Sequence, residues 1–438
     1  MSSVELPDTP VGRQLQWWLH TLATGADGQT VDRVAAHYVG GDPNNQTDDE
    51  MHANWREMRG RVGADFRVTD VASTTPHEMT VTATSGTDKL WTIEAKVEPE
   101  EPHRFTWLNL QRKRDFTVTV RDAVEADGPA LVDLEKRSPI MLGDTAMSFD
   151  RGDDYFASVR LMEDATVVLA EVDGVPAAVE WATCHPARIG DRDYKMTSYI
   201  HLRVLPEHQR KGLWGEVGRR LGEIYWEKSD CGYAWGSRDN AAVQHSFRER
   251  PKWSIGAVRT LISVEDAKGP PTGRPATPDD APTIVDILNA THEREAMYFP
   301  YTVESLRARL ERAPDLYTWR HVLMGDGAVV GVWPAGDKIT VRYECGGEMK
   351  ESRRGLVLDY GFLPGAEDEL ERLLRAWCGE LAASGHTEVS IFSSEPSPGH
   401  DLLRRMAAST EHFDLWTPPI AEPPGTAEHG VYADQANF

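Results

Sequence analysis

The chain has 438 residues, is 40% hydrophobic with 14 Trp, and sets 70 acidic against 47 basic residues for a formal charge of −23. That length corresponds to about three domains of ordinary size, and the apolar content can give each a core. So acidic a balance argues against nucleic acid as a bulk partner and against an anionic membrane surface, while it permits a cationic small-molecule acceptor. Simple solubility also accounts for it. No apolar stretch reaches the ~18 residues of a membrane span. Cys184, Cys231, Cys345 and Cys378 stand far apart with no Cys-x-x-Cys, so neither a disulfide framework nor zinc is expected, and no metal ligand is assigned. The first residues carry Glu5 and Asp8 rather than a basic region, so a reduced, soluble, cytoplasmic protein is the expectation.

In chain order, Val11, Leu15, Trp18, Leu19 and Leu22 mark one face of a helix over 11–24. Thr30 is placed to cap a second helix over 31–38, and Asp48 a third that runs to residue 58. Alternating stretches over 66–72, 79–83, 90–97 and 105–110 follow, separated by turn signals at Thr75-Pro76, Ser85-Gly86 and 99–102. Helices followed by antiparallel strands describe an α+β unit over 1–112. The pattern resembles the cystatin/NTF2-like cone that precedes some bacterial hydrolases, which implies a docking or substrate-shaping module. His37, Asp65 and His77 are placed to line a pocket there, but surface or capping roles suffice for each.

A charged linker over 111–115 leads into a strand over 116–121. Strands over 167–172 and 175–182 flank the hairpin turn Asp173-Gly174. An extended segment over 196–204 then runs through Pro206 into Gln209-Arg210-Lys211-Gly212, and a helix follows over 213–228. A strand feeding a basic glycine turn at a helix N-terminus can hold a pyrophosphate. The unpaired N–H groups of the first turn point at the anion, the helix dipole favours its charge, and glycine lets the backbone come close. An ordinary strand–helix turn with a solvated basic corner is the plain alternative. A strand over 233–236 comes next, then Asn240 opens Asn-Ala-Ala-Val-Gln-His-Ser-Phe, ending at Phe247.

The stretch over 202–214 resembles motif A of the GCN5-related N-acetyltransferases, Gln/Arg-x-x-Gly-x-Gly/Ala after a strand ending in Val-x-Pro. Gln209, Arg210, Lys211 and Gly212 match, whereas the last small residue is Trp214 here, with Gly215 one step on. The resemblance implies a mixed α/β fold in which the strand over 196–204 splays from its successor. Acetyl-CoA, or another acyl-CoA, would lie in the gap. Leu202 and Val204, with Arg203 between them, would meet the pantetheine through the backbone. Gln209 and the turn Arg210, Lys211, Gly212, Leu213, Trp214 and Gly215 would hold the pyrophosphate. Asn240 stands where many members have a cofactor contact. Phe247 takes the place of a Tyr that protonates the leaving thiolate, so no phenol is available, and His245, Ser246 or water must substitute or the thiolate leaves unassisted.

An internal repeat extends this reading. At an offset of 153 positions, Arg121, Ala123, Asp127, Pro129, Val132 and Asp133 fall on Arg274, Ala276, Asp280, Pro282, Val285 and Asp286. The same offset carries Asp173-Gly174 onto Asp326-Gly327 and Gly212 onto Gly365. Two tandem acyltransferase-type folds over 113–268 and 272–438 are expected, with the breaker run Lys268-Gly269-Pro270-Pro271 between them. In the second, Phe362, Leu363 and Pro364 replace Gln209, Arg210 and Lys211, and acidic residues open the next helix. Proline offers a phosphate no N–H, so only the first copy is expected to bind cofactor. The segment over 429–434 turns apolar again and is expected to return as a final strand.

Acyl transfer to nitrogen needs a neutral amine, and removing the proton of a lysine-like amine at pH 7 costs about 4.6 kcal/mol. His201 and Tyr199 on the central strand and Glu180 on its neighbour are candidate bases, and His201 has an ordinary pKa suited to the task. Strict alternation puts Tyr199, His201 and Arg203 on one face. His245 is the remaining candidate, with a helix-surface position as its plain account. The leading hypothesis is transfer of an acetyl group from acetyl-CoA to a small-molecule amine in a ternary complex. The alternative is a non-catalytic acyl-CoA-binding or assembly protein, favoured by the missing Tyr and the bulky Trp214. The leading unit offers no nucleophile–base set of its own.

Overall fold

Thr9 opens the first helix, Pro10–Thr24, by accepting from the Gly12 N–H, and Gly25 ends it in the left-handed region. The structure is a computed structural model that describes residues 4–39, 47–63, 66–85, 89–112, 116–209, 211–248, 250–417, 422 and 426–437. The chain divides into two compact units, Met1–Thr117 and Val118–Phe438.

In the first unit, Thr30 caps the helix Val31–Ala35, as its sequence suggests. That helix stops short of Tyr38, which bridges to Phe105. The third helix, Asp48–Val62, is capped by Thr47 in a capping box with Glu50. Asp48 is already helical, and its carboxylate accepts from the Val31 N–H instead (2.7 Å). The strands β1 (Arg67–Thr74), β2 (Glu78–Ser85), β3 (Lys89–Val97) and β4 (Phe105–Arg112) form an antiparallel meander in chain order. Val11, Leu15, Trp18 and Leu22 close on Val81, Ile93 and Ala95 of the sheet and on Trp55 of the third helix. His37 stacks on Trp17, and its Nδ1 lies 2.8 Å from Gln14 Oε1. His77 instead faces His103. Asp65 lies outside the described residues.

The second unit contains β5 (Val118–Asp122), β6 (Ile140–Leu142), β7 (Thr145–Asp150), β8 (Ala165–Val172), β9 (Val175–Ile189), β10 (Arg192–Val204), β11 (Cys231–Ser237) and β12 (Ala257–Ser263). After the breaker run come β13 (Arg274–Pro275), β14 (Val322–Met324), β15 (Ala328–Trp333), β16 (Thr340–Cys345), β17 (Glu348–Phe362), β18 (Glu388–Ser393) and β19 (Ser409–Trp416). Among the described residues they join into one sheet ordered β13-β14-β15-β17-β18-β12-β19-β11-β10-β9-β8-β5, with β16, β7 and β6 attached at its side. The exchange at its centre explains why residues 118–438 do not part at the breaker run. β12 lies against β18, and β19 lies against β11, so each half supplies a strand to the other's side of the sheet.

The repeated residues occupy matching places. Arg121 forks onto Asp127, which also accepts from the Val124 N–H, and Arg274 forks onto Asp280, which accepts from the Thr277 N–H. Each set opens a helix, Gly128–Arg137 and Ala281–His292. The Asp173-Gly174 turn has both residues at positive φ (51° and 83°), the conformation that closes a two-residue hairpin. The end of the chain departs from expectation. Val431 makes a single bridge to Ala296, and Gln435–Asn437 is a 3-10 turn, not a strand.

Candidate functional site

β10 and β11 run parallel and pair only over Met196–Ser198 and Cys231–Tyr233, after which β10 stays with β9 and β11 pairs with β19. Gly232 makes room for Tyr199 at the last stretch of contact, since a Cβ there would lie 2.7 Å from Cε2 of the tyrosine ring. Just past the end of pairing, β10 bulges between Ile200 and Arg203, and His201 takes a φ of +61°. An extra residue in a strand resets its alternation. The expected common face for Tyr199, His201 and Arg203 therefore does not form. The His201 ring stacks on Trp181, the partner of Ile200, with centroids 4.1 Å apart.

On that face His201 belongs to a buried charged cluster. Arg151 Nε donates to Glu135 Oε2 (2.6 Å), and His201 Nε2 contacts both Glu135 Oε1 and Arg151 Nη2. Arg203 lies over Phe149 at 5.6 Å, and its Nη1 donates to the Leu202 carbonyl (2.8 Å). Burial alone would raise Glu135, but Arg151, His201 and Arg203 outweigh it and hold the carboxyl far below its usual range. Burial pushes His201 down to about 3, so the ring is neutral at physiological pH. Its Nε2 is committed within the cluster.

Glu180 behaves differently. It neighbours Val179 and Trp181, which pair with Arg203 and Ile200, so it stands beside the bulge. Its Oε2 is buried without a hydrogen-bond partner, 3.8 Å from the position a Cβ would take on Gly218 of the helix Leu213–Tyr225. Burial pushes its carboxyl up to about 8. A group that titrates near neutrality is suited to moving a proton.

The turn between β10 and that helix passes through a short 3-10 segment, Pro206–His208. Gly212 caps the helix at φ 82° and ψ 10°, and no side chain caps it. Gln209 Nε2 reaches back to the Val204 carbonyl (3.5 Å), and Arg210 lies outside the described residues. Lys211 is half-buried, Leu213 buried, and the missing Cβ of Gly215 would face open space. Trp214 leans on Phe247, and Phe247 stacks on Trp416 with centroids 5.0 Å apart. The residue standing in for the phenol is thus part of an aromatic stack. Asn240 Oδ1 accepts from the Val243 N–H and caps the helix Ala241–Phe247. His245 is exposed on that helix beside Arg248.

The corresponding place in the second half is occupied. β17 and β18 pair in parallel over Arg354–Leu356 and Glu388–Ser390. Gln435 stands at that point, its amide turned so that the oxygen accepts from Ser390 Oγ (2.6 Å) and the nitrogen donates to the carbonyls of Val357 (3.1 Å) and Ser390 (2.9 Å). Only Leu363 to Ala366 separate β17 from the helix Glu367–Ala383, and the Ala366 N–H closes that turn on the Leu363 carbonyl (2.9 Å). Gly365 is left-handed like Gly212. The loop before it is shorter, however, and Phe362, set against Gln209 by the constant offset, is still in the strand.

A cavity of about 120 Å³ also went unread in the sequence. It lies between Tyr233 and Trp235 of β11, the run Met297-Tyr298-Phe299-Pro300-Tyr301, and Tyr432 near the chain end. The aromatic run was its only sequence signal. Among the described residues no cluster of three or more His, Cys, Asp or Glu could hold a metal, and no helix is long and apolar enough to cross a membrane.

This arrangement is similar to the fold of solved N-acyltransferases. Two solved structures of Saccharomyces cerevisiae N-myristoyltransferase are similar to it. One, with bound myristoyl-CoA and inhibitors, has TM-score 0.52 and 10% identity, covering 73% of this chain and 83% of that one. The other, with bound myristoyl-CoA, has TM-score 0.51 and 9% identity, covering 70% and 80%. A GCN5-related N-acetyltransferase from Sphaerobacter thermophilus has TM-score 0.42 and 17% identity, covering 68% of this chain and 95% of that one. No protein-family model and no curated protein sequence matches the chain.

Proposed function

We propose that the protein is an acyl-CoA-dependent N-acyltransferase with one competent site, between β10 and β11, transferring an acetyl group to a small-molecule amine. The observation that carries this reading is the end of parallel pairing at Ser198 and Tyr233, followed by a left-handed glycine at a helix N-terminus that no side chain caps. These are the two features a pantetheine and a pyrophosphate need, an opened strand pair and unsatisfied N–H groups at a positive helix end. The acyl-CoA supplies an activated thioester. Lys211 and the turn over 209–215 hold its phosphates, and the bulged backbone around Leu202 and Val204 lines its arm. Glu180, which stands beside the bulge with its carboxyl pushed by burial up to about 8, takes up the amine proton through water. His201 fixes the bulge rather than accepting the proton. Phe247 keeps water off the departing sulfur without donating to it.

We read the halves of the second unit as two copies of one domain, the second a structural partner. Their matching Arg–Asp forks, helices and left-handed glycines support this. The leading cystatin/NTF2-like unit acts as a docking or substrate-shaping module. The alternative of a non-catalytic acyl-CoA-binding protein draws on Phe247 and on the committed Nε2 of His201. Saturable, amine-dependent release of CoA separates the two. Its absence with every amine, while acetyl-CoA still binds, would establish the binding protein.

A further inference from the structure

The aromatic cavity has a register that ties it to the opened strand pair. Tyr233 is the last residue of β11 paired to β10, opposite Ser198. Two residues on, past the end of that pairing, Trp235 lies opposite Leu415 of β19. The same alternation places Tyr233, Ser198, Thr183 and Trp181 on one sheet face. The cavity therefore reaches the end of the strand pairing at Tyr233, on the face away from the helix Leu213–Tyr225.

Its chemistry is defined by what its walls have already spent. The Tyr233 hydroxyl is 2.7 Å from His185 Nε2, and burial lowers His185, which stays neutral. The Tyr298 hydroxyl donates to Asn289, and that of Tyr301 to Asp359. Arg309 forks onto Asp434 and also meets Asp359, while Arg312 bonds the Leu161 carbonyl and faces Glu163 at 3.7 Å. Each charged group of the lining has a partner of opposite sign within the protein. What the aromatic side chains offer a ligand is ring surface, edged by these paired polar groups. At ~30 Å³ per water, a space of about 120 Å³ holds roughly four waters or one six-membered ring.

We propose that this cavity is the acceptor pocket and that it selects a primary amine tethered to a single flat aromatic ring, with the ring among Tyr233, Tyr298 and Tyr432 and the amino group directed past Trp235 to the bulge. This rests on the acyltransferase reading. It narrows the acceptor that net charge alone permits, since a polycation would find no unpaired carboxylate here and would strand its charges against aromatic walls.

The test compares 2-phenylethylamine with spermidine, glucosamine and a short peptide with a free N-terminal glycine, read as acceptor-dependent CoA release. Each amine is also titrated calorimetrically into the full chain without acyl-CoA. The expected result is a kcat/KM for 2-phenylethylamine at least ~10-fold above the other three, with measurable binding in the absence of acyl-CoA. Glu163→Trp places a large ring at the rim from an exposed position. It should raise KM for 2-phenylethylamine by about 10-fold or more and leave acetyl-CoA affinity unchanged. Equal or better turnover of spermidine or the peptide, or an unaltered KM in Glu163→Trp, overturns the pocket while leaving the acyltransferase reading standing. If acetyl-CoA does not bind and no amine releases CoA, the acyltransferase reading fails. In that case 2-phenylethylamine binding that is lost in Glu163→Trp still upholds the cavity as an aromatic-ring site, and no binding overturns it.

Discussion

The gap between β10 and β11 and its counterpart between β17 and β18 begin alike. Each has three residue pairs of parallel ladder before pairing ends, and each has a left-handed glycine at the entry to the next helix. They part at the loop and at the filling. The first loop runs through a 3-10 turn to a helix whose first turn holds one acidic residue, Glu216. The second closes in four residues onto Glu367, Asp368 and Glu369, and Gln435 bonds the carbonyls of both strands. A side-chain amide there satisfies the backbone groups that strand separation leaves over. The same plan thus holds an anchored chain segment on one side, and on the other it frames the gap proposed as the ligand slot. Loop length and one inserted glutamine decide which.

The largest effect should come from the two glycines. Gly212→Asp sets a carboxylate against the pyrophosphate and should weaken acetyl-CoA binding by at least ~100-fold, whereas Gly365→Asp should leave affinity unchanged. Both positions are left-handed, so backbone strain is common to the pair and drops out of the comparison. Equal losses in calorimetry would erase the distinction between the two gaps.

Glu180→Gln should lower turnover by ~10²-fold or more. It should also stabilise the protein at high pH. Because the folded carboxyl keeps its proton up to about 8 while the unfolded one releases it near 4.5, wild-type stability falls as pH rises through that window and levels off above it. Glutamine removes that slope. In urea unfolding the variant should exceed wild type by about 3–5 kcal/mol at pH 8.5, the gap closing toward pH 4.5. A constant gap across pH would deny the raised carboxyl.

His201→Ala removes a ring from Trp181 and a partner from Glu135 and Arg151, and should cost about 2–3 kcal/mol. Turnover should fall without loss of acetyl-CoA affinity. His201→Asn, which tolerates the left-handed backbone, should leave the pH–rate profile without any change near pH 6.5. A shifted inflection there would restore His201 as the base. Gln435→Ala should cost about 1–2 kcal/mol, because it strands the carbonyls of Val357 and Ser390, and should create no second acyl-CoA site. The smallest change is expected from Phe247→Tyr. Its ring keeps the stack on Trp416, and turnover should stay within about threefold.

Local chemistry was legible in the sequence where a few adjacent residues decide the outcome. Asp173-Gly174 between apolar runs gives a two-residue hairpin, and Gly212 after a basic turn gives a left-handed helix entry. The Thr47 cap was misread by one position, because Asp48 satisfies the helix-start pattern equally well and only the fold shows it serving Val31 instead. The bulge at His201 was beyond alternation, since its partners Glu135 and Arg151 come from distant parts of the chain. The exchange of β12 and β19 is likewise a long-range pairing with no local signature. Gln435 looks like any polar residue near a chain end until the strands on either side of it are known.

The most direct test of a single competent slot is a calorimetric titration of the wild-type chain with acetyl-CoA, read for stoichiometry. One molecule should bind per chain. Two molecules per chain would contradict the reading of the second gap as an anchor, and none would contradict the assignment of the first as an acyl-CoA site.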